Sequence, residues 1–205
     1  MAPRTQAQSR YRAAIAASDI TFGIGPAGTG KSYVAVSDAA DALKRGDIER
    51  IVITRPITTV GNSLGYFPGG VDEKIAPYIA PIREILDESF GVSFVTSLIK
   101  SGKIVAAPVE LMRGATFRNA WVIVDEAQNL TFHQLKTILT RAGEGAKTII
   151  DGDPGQIDVP AWKSGLMEAV DRLMGVDGVR IVHFDRSDIV RSSLVRRVLA
   201  ALDGP

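Results

Sequence analysis

No cysteine occurs in the 205 residues, which excludes disulfides and thiolate metal sites and suits a reducing compartment. Net charge is almost lacking too. At +1 the molecule sets up no overall field that would draw it onto nucleic acid or a membrane, so any such contact must come from local basic clusters. No apolar run approaches the roughly 18 residues that a membrane-crossing helix needs. Arginines near the amino terminus followed by Ala13–Ala17 faintly resemble a signal peptide, but the apolar stretch is too short and runs straight into Asp19. The expectation is an intracellular, cytoplasmic protein without membrane contact. Internal repeats, low-complexity tracts and linkers are also lacking. The length suits one sizeable core, so a single domain is expected over residues 1–205.

What the chain does have is alternation. Short β-branched runs at Ile20–Gly25, Ile51–Thr54, Lys103–Ala107, Trp121–Asp125, Lys147–Asp151 and Val179–Phe184 read as strands. Several are apolar at consecutive positions, which fits strands covered on both faces. Between them, Ser32–Lys44, Asp72–Glu88, Thr131–Arg141 and Ser164–Met174 read as helices, with a last one at about Ser192–Leu202. Thr131 and Gln134 have the spacing of a capping box. Strand–helix alternation with right-handed crossovers predicts an α/β fold, a three-layer α/β/α sandwich around a mainly parallel sheet. The irregular stretch Arg55–Val71 is long for a loop in a compact domain, and such loops are commonly functional or disordered.

Two motifs carry chemistry. In FGIGPAGTGKS, Gly25 is followed after four residues by Gly30, Lys31 and Ser32, between a strand and a helix. This is the Walker A pattern. Its glycines let backbone N–H groups point at phosphate oxygens, and the helix that follows adds its positive end. Lys31 is placed to reach the β- and γ-phosphates and Ser32 to ligate Mg²⁺. A chance match to the four defined positions is expected in on the order of one chain per hundred of this length. The nucleotide-contacting set is Gly25, Pro26, Ala27, Gly28, Thr29, Gly30, Lys31, Ser32 and Tyr33. The second motif, WVIVDE, is an apolar strand ending in Asp125 and Glu126. Asp125 suits the Mg²⁺ shell and Glu126 a general base for an attacking water. A third element, DGDPGQIDVP at Asp151–Pro160, is a β-turn around Pro154–Gly155. Its Gln156 can also sense the γ-phosphate, and its Asp153 can brace the site.

The segments DITFGIGPAGTGKSYVAV, ITRPITTVGNSLGYFPG, MRGATF, VIVDEAQNLT, LTRAG, GDPGQIDVP and SDIVR together resemble the PhoH-like ATPases, from about Gln8 to Leu202. The resemblance implies a RecA-like P-loop core related to the amino-terminal motor of superfamily 1 helicases. It implies hydrolysis of ATP with Mg²⁺, action on RNA or single-stranded DNA, and a ring-shaped homo-oligomer, expected to be a hexamer. Gln8 matches the position that reads the adenine edge, Gln156 the glutamine on the γ-phosphate, and Arg191 the arginine late in the pattern. Many members carry a further amino-terminal domain. This chain starts just before Gln8 and resembles the short single-domain forms, including those encoded by bacteriophages. Two departures stand out. Asp151 replaces a usual threonine, adding a carboxylate near the metal, and Ser192–Ser193 replaces a common His-Pro beside Arg191.

Because the related helicases close two cores over ATP and this chain has one, a partner subunit is expected to supply an arginine. Arg191 is the first candidate, with Arg141 and Arg113 as alternates. Arg55, Tyr66 and Phe67 are the candidate nucleic-acid contacts, the two aromatics through stacking on bases or, equally, by packing the loop on the core. Two other readings use the same loop: a small-molecule kinase, and a nucleotide-gated scaffold without helicase activity.

Overall fold

A computed structural model describes residues 2–56, 71–112, 114 and 116–190, with backbone only at 71–78, 110, 111 and 162. In chain order the elements are α1 (Gln6–Ala17), β1 (Ile20–Ile24), α2 (Lys31–Arg45), β2 (Arg50–Thr54), α3 (Val71–Phe90), α4 (Val92–Lys100), β3 (Ile104–Ala106), β4 (Ala120–Val124), α5 (Phe132–Leu139), β5 (Lys147–Gly152), α6 (Leu166–Leu173) and β6 (Val179–His183). The six strands form one sheet in the order β3-β2-β4-β5-β1-β6, and every pairing is parallel.

The consecutive apolar residues divide between two faces. Ile51, Ile53, Trp121, Ile123 and Ile149 join one core with α1, α2, α3 and α4. Val52, Val122, Val124 and Ile150 join the other, under α5 and α6. At about 1.5–3 kcal/mol for each large apolar side chain removed from water, the two faces of β4 alone rival the net stability of an ordinary domain, about 5–15 kcal/mol. The fold is the expected three-layer RecA-like sandwich. Among the described residues no helix is long and apolar enough to cross a membrane.

Local chemistry sets the helix ends. Gly30 opens α2 at φ 83° and Gly46 closes it at φ 78°, with Lys44 and Arg45 in the last turn. Both caps need a left-handed backbone that glycine adopts without a Cβ penalty, and the basic residues complement the helix dipole. Thr131 and Gln134 form the expected capping box on α5. Two helices were not expected from the sequence. In α1 only Ala7, Gln8, Tyr11 and Ile15 are buried, a stripe too narrow and too polar to register as amphipathic. α4 is short, with Val95 and Leu98 buried but Val92 and Phe94 exposed, which blurs its period. The expected helix at Ser192–Leu202 lies outside the described residues.

Candidate active site

A parallel sheet gathers its loops at the carboxyl ends of its strands, and ligands settle where strand order reverses. β1 lies between β5 and β6, and the loop from Gly25 to Gly30 leaves its carboxyl end. Gly25 has φ 145°, and a Cβ there would stand 2.2 Å from the Phe184 carbonyl oxygen. Only glycine lets the loop pass so close to the end of β6. The loop is braced from outside as well. Asp153 accepts from the Ala27 amide at 2.8 Å and from the Gly155 amide at 2.9 Å, which is the bracing role expected of it. Thr29 donates to the Pro26 carbonyl at 2.9 Å.

Two cavities flank this loop. One, of about 340 Å³, is lined by Arg4, Gln8, Gly28, Gly30, Tyr33 and Val190 among others. The other, of about 320 Å³, holds Lys31, Ser32, Arg55, Asp125, Glu126, Asp151 and Asp153 on its walls. Gly28, Gly30 and Tyr33 border both, so the loop and the start of α2 divide one continuous cleft into two compartments. Gln8 is buried at the first compartment, where its amide donates to the Thr29 carbonyl at 2.9 Å and accepts from the Arg4 amide at 2.8 Å. The backbone of Gly30, at φ 83°, favours glycine, and a Cβ would also press on Gln8 Nε2 at 2.6 Å.

In the second compartment Lys31 Nζ donates to the Gly25 and Pro26 carbonyls at 2.7 and 2.8 Å, and burial lowers its pKa from the ordinary value. Ser32 Oγ donates to Asp125 Oδ1 at 2.8 Å. The parallel register that sets Thr54 opposite Val124 brings the next residues together as well. Arg55 Nη2 reaches Glu126 Oε1 at 3.0 Å, with Nη1 3.9 Å from Asp125 Oδ2. Glu126 has φ 55°, a left-handed backbone that costs a non-glycine residue on the order of 1–2 kcal/mol and turns its side chain away from the path of β4. Such strain collects at functional sites.

Three of the expected site residues have partners or positions that the sequence did not indicate. Arg55, expected among the nucleic-acid contacts, is paired with the two acids. It stands in the cleft, because β2 and β4 end side by side and the two carboxylates attract it. The Gln156 side chain is exposed and does not line the cleft, since the Asp153 turn is held through the Gln156 backbone. The residue that does reach Glu126 is Gln128, overlooked in the sequence. It is 1 % exposed and donates to Glu126 Oε2 at 2.6 Å and to the Gln156 carbonyl at 3.0 Å, while accepting from the Asp153 amide at 3.0 Å. The available signal was a polar pair, Gln128–Asn129, directly after the two acids and before the cap of α5.

The third residue is Asp151, on the wall of the same compartment. Tyr11, wholly buried on α1, donates its hydroxyl to Asp151 Oδ1 at 2.5 Å. Gly23 makes room for this pair, since a Cβ there would meet Asp151 Oδ1 at 2.5 Å and the Tyr11 ring at 2.8 Å. Asp151 Oδ2 is buried without a partner. Burial pushes the Asp151 carboxyl up to about 7, with Tyr11 pulling it down and Asp125 pushing it further up. Arg191, Arg113, Tyr66 and Phe67 lie outside the described residues. Arg141 stands past the carboxyl end of α5, where Ala142 bridges to Phe117 ahead of β4, at the amino ends of the strands and away from the loop.

A glycine loop that hands its chain to a helix amino terminus, with a serine on one wall facing an aspartate at the end of a neighbouring strand, defines a P-loop nucleotide-binding protein on a RecA-like core. The chain belongs to the PhoH-like protein family, whose pattern it matches over residues 1–203. It is 46 % identical over 201 residues to a PhoH-like protein of Bacillus subtilis, covering 98 % of this chain and 63 % of that one. To the protein PhoH of Escherichia coli K12 it is 42 % identical over 201 residues, covering 97 % of this chain and 57 % of the other. It thus spans about three fifths of the length of these relatives. Among solved structures, the large terminase of a thermophilic bacteriophage superposes with a TM-score of 0.59 at 14 % identity, over 97 % of this chain and 50 % of that one. The DUF1998 helicase MrfA, bound to DNA, superposes at 0.51 and 13 % identity, over 87 % of this chain and 25 % of that one. At such identities the likeness is one of fold.

Proposed function

We propose that the chain hydrolyses ATP with Mg²⁺ and couples hydrolysis to RNA or single-stranded DNA as a ring of identical subunits. One observation carries the reading: Ser32 and Asp125, 93 residues apart, meet at 2.8 Å beside Lys31 on the floor of the phosphate-side compartment. A serine hydroxyl and a carboxylate are the hard oxygen donors that suit Mg²⁺, which takes only one or two protein ligands and fills its octahedron with water and phosphate oxygens. Ser32 and Asp125 would hold the ion, which would supply positive charge against the phosphates.

The residues divide the remaining work. Gln8 uses one N–H and one lone pair on Thr29 and Arg4, which leaves a second donor and a second acceptor for the adenine edge. Loop amides and the start of α2 receive the phosphates, and Lys31 moves from the Gly25 and Pro26 carbonyls to the β- and γ-phosphates. Glu126 takes the proton of the attacking water. Arg191 completes the site of a neighbouring subunit. Val190, the residue before it, donates its amide to the Gly28 carbonyl at 2.9 Å. Tyr66 and Phe67 supply stacking for the nucleic acid.

ATPase rate measured against protein concentration, with and without RNA or single-stranded DNA, tests the whole. Specific activity is expected to rise with concentration and again with polymer, and a flat response to both removes the ring and the polymer from the proposal. Mixing Arg191→Ala with Lys31→Ala subunits is expected to restore part of the activity that each lacks alone. An absence of rescue from intact mixed oligomers places Arg191 outside the shared site.

A further inference from the structure

Both oxygens of the Glu126 carboxylate are occupied, Oε1 by Arg55 and Oε2 by Gln128. The two holds differ in kind. Gln128 is buried and locked by its bonds to the Asp153 amide and the Gln156 carbonyl, so it cannot leave without stranding polar groups. The Arg55 side chain is 25 % exposed and lies on the wall of the same compartment as Lys31 and Ser32. The guanidinium on Oε1 takes one of its two lone pairs and crowds the approach of a water to that oxygen. The compartment also sets two cations, Lys31 and Arg55, among four carboxyl groups, Asp125, Glu126, Asp151 and Asp153. A polyphosphate entering it meets a guanidinium whose planar fork matches phosphate oxygens.

We propose that Arg55 is a catalytic residue acting within its own subunit, passing from Glu126 to the terminal phosphate of the bound nucleotide. The proposal rests on the reading of Glu126 as the base. A single displacement frees Oε1 to accept from water and places positive charge on the phosphoryl group in transfer. The water oxygen bonds to the γ-phosphorus as the bond from phosphorus to the β–γ bridging oxygen breaks. The water proton passes to Glu126 and then to solvent, ADP keeps the bridging oxygen, and Arg55 returns to the carboxylate as phosphate leaves.

A purely structural pin and a moving catalyst differ in how they treat nucleotides with and without a terminal phosphate. Glu126→Gln removes the charge that retains Arg55, and its amide presents an oxygen at only one of the two positions that face donors. Gln128, the fixed one, keeps it. That variant is therefore expected to bind a fluorescent ATPγS derivative roughly tenfold more tightly than the parent, the order of one charge-assisted hydrogen bond gained, with ADP affinity unchanged. Adding Arg55→Ala is expected to erase the gain. Arg55→Ala alone should lower kcat by about 10²–10³ while ADP affinity stays within twofold, and Arg55→Lys should recover little because it lacks the fork. Equal weakening of ADP and ATPγS in both Arg55 variants, or kcat within twofold of the parent in Arg55→Lys and Arg55→Ala, overturns the proposal. Undiminished turnover in Glu126→Gln overturns the base reading by itself, and the affinity pattern still reports on Arg55.

Discussion

Glu126→Gln is expected to bind ATP and to release phosphate at about 10⁻² to 10⁻⁴ of the parent rate, the range that a positioned general base contributes. The size of the effect follows from how firmly the carboxylate is placed. Its backbone is held in the left-handed region at φ 55°, and Gln128 fixes one oxygen at 2.6 Å. No other described carboxylate takes its place easily. Asp125 is engaged with Ser32, Asp153 with the Ala27 and Gly155 amides, and Asp151 with Tyr11. Equilibrium nucleotide binding and phosphate release measured on the same preparation check the expectation. Parent-like turnover would mean that another group accepts the proton.

The second large effect concerns stability against pH. Asp151 has an ordinary value of 3.8 and sits at about 7 in the folded chain, so the folded state holds a proton that the unfolded state gives up. The stability this adds is fully present below about pH 4. It declines as pH rises towards 7 and is gone once the folded carboxyl ionises. A rise of roughly three units corresponds to on the order of 4 kcal/mol, a large part of the net stability of an ordinary domain. Asp151→Asn keeps an oxygen for the Tyr11 hydroxyl and cannot ionise. Urea denaturation between pH 5 and 8 is expected to show the parent losing stability with pH more steeply than this variant. Parallel curves for the two proteins would show that Asp151 is ionised throughout. The physical reason for the effect is visible in the packing: one oxygen is satisfied, the other is buried without a partner, and a charge there has nothing to solvate it.

Much of the frame was legible in the chain. Consecutive apolar residues in WVIV meant a strand with both faces covered, and β4 is buried along its length. Gly25, Gly28 and Gly30 all have positive φ, as a loop wrapped around phosphates demands. Thr131 announced the start of α5. In each case the determining residues are neighbours in sequence, and the physics acts over a turn or a pleat. α1 was not legible, since Tyr11 and Ile15 are buried by partners that come from elsewhere in the chain.

The sequence by itself determined a parallel α/β core and a phosphate loop facing two acids, because backbone conformation and burial periodicity act between adjacent residues. Only the tertiary structure decided which polar groups meet. Arg55 and Glu126 are 71 residues apart and Tyr11 and Asp151 are 140 apart. Nothing local in either segment specifies the other. The strand order sets β2 beside β4 and β5 beside β1, under the helix that bears Tyr11, and so brings these polar groups within hydrogen-bonding reach.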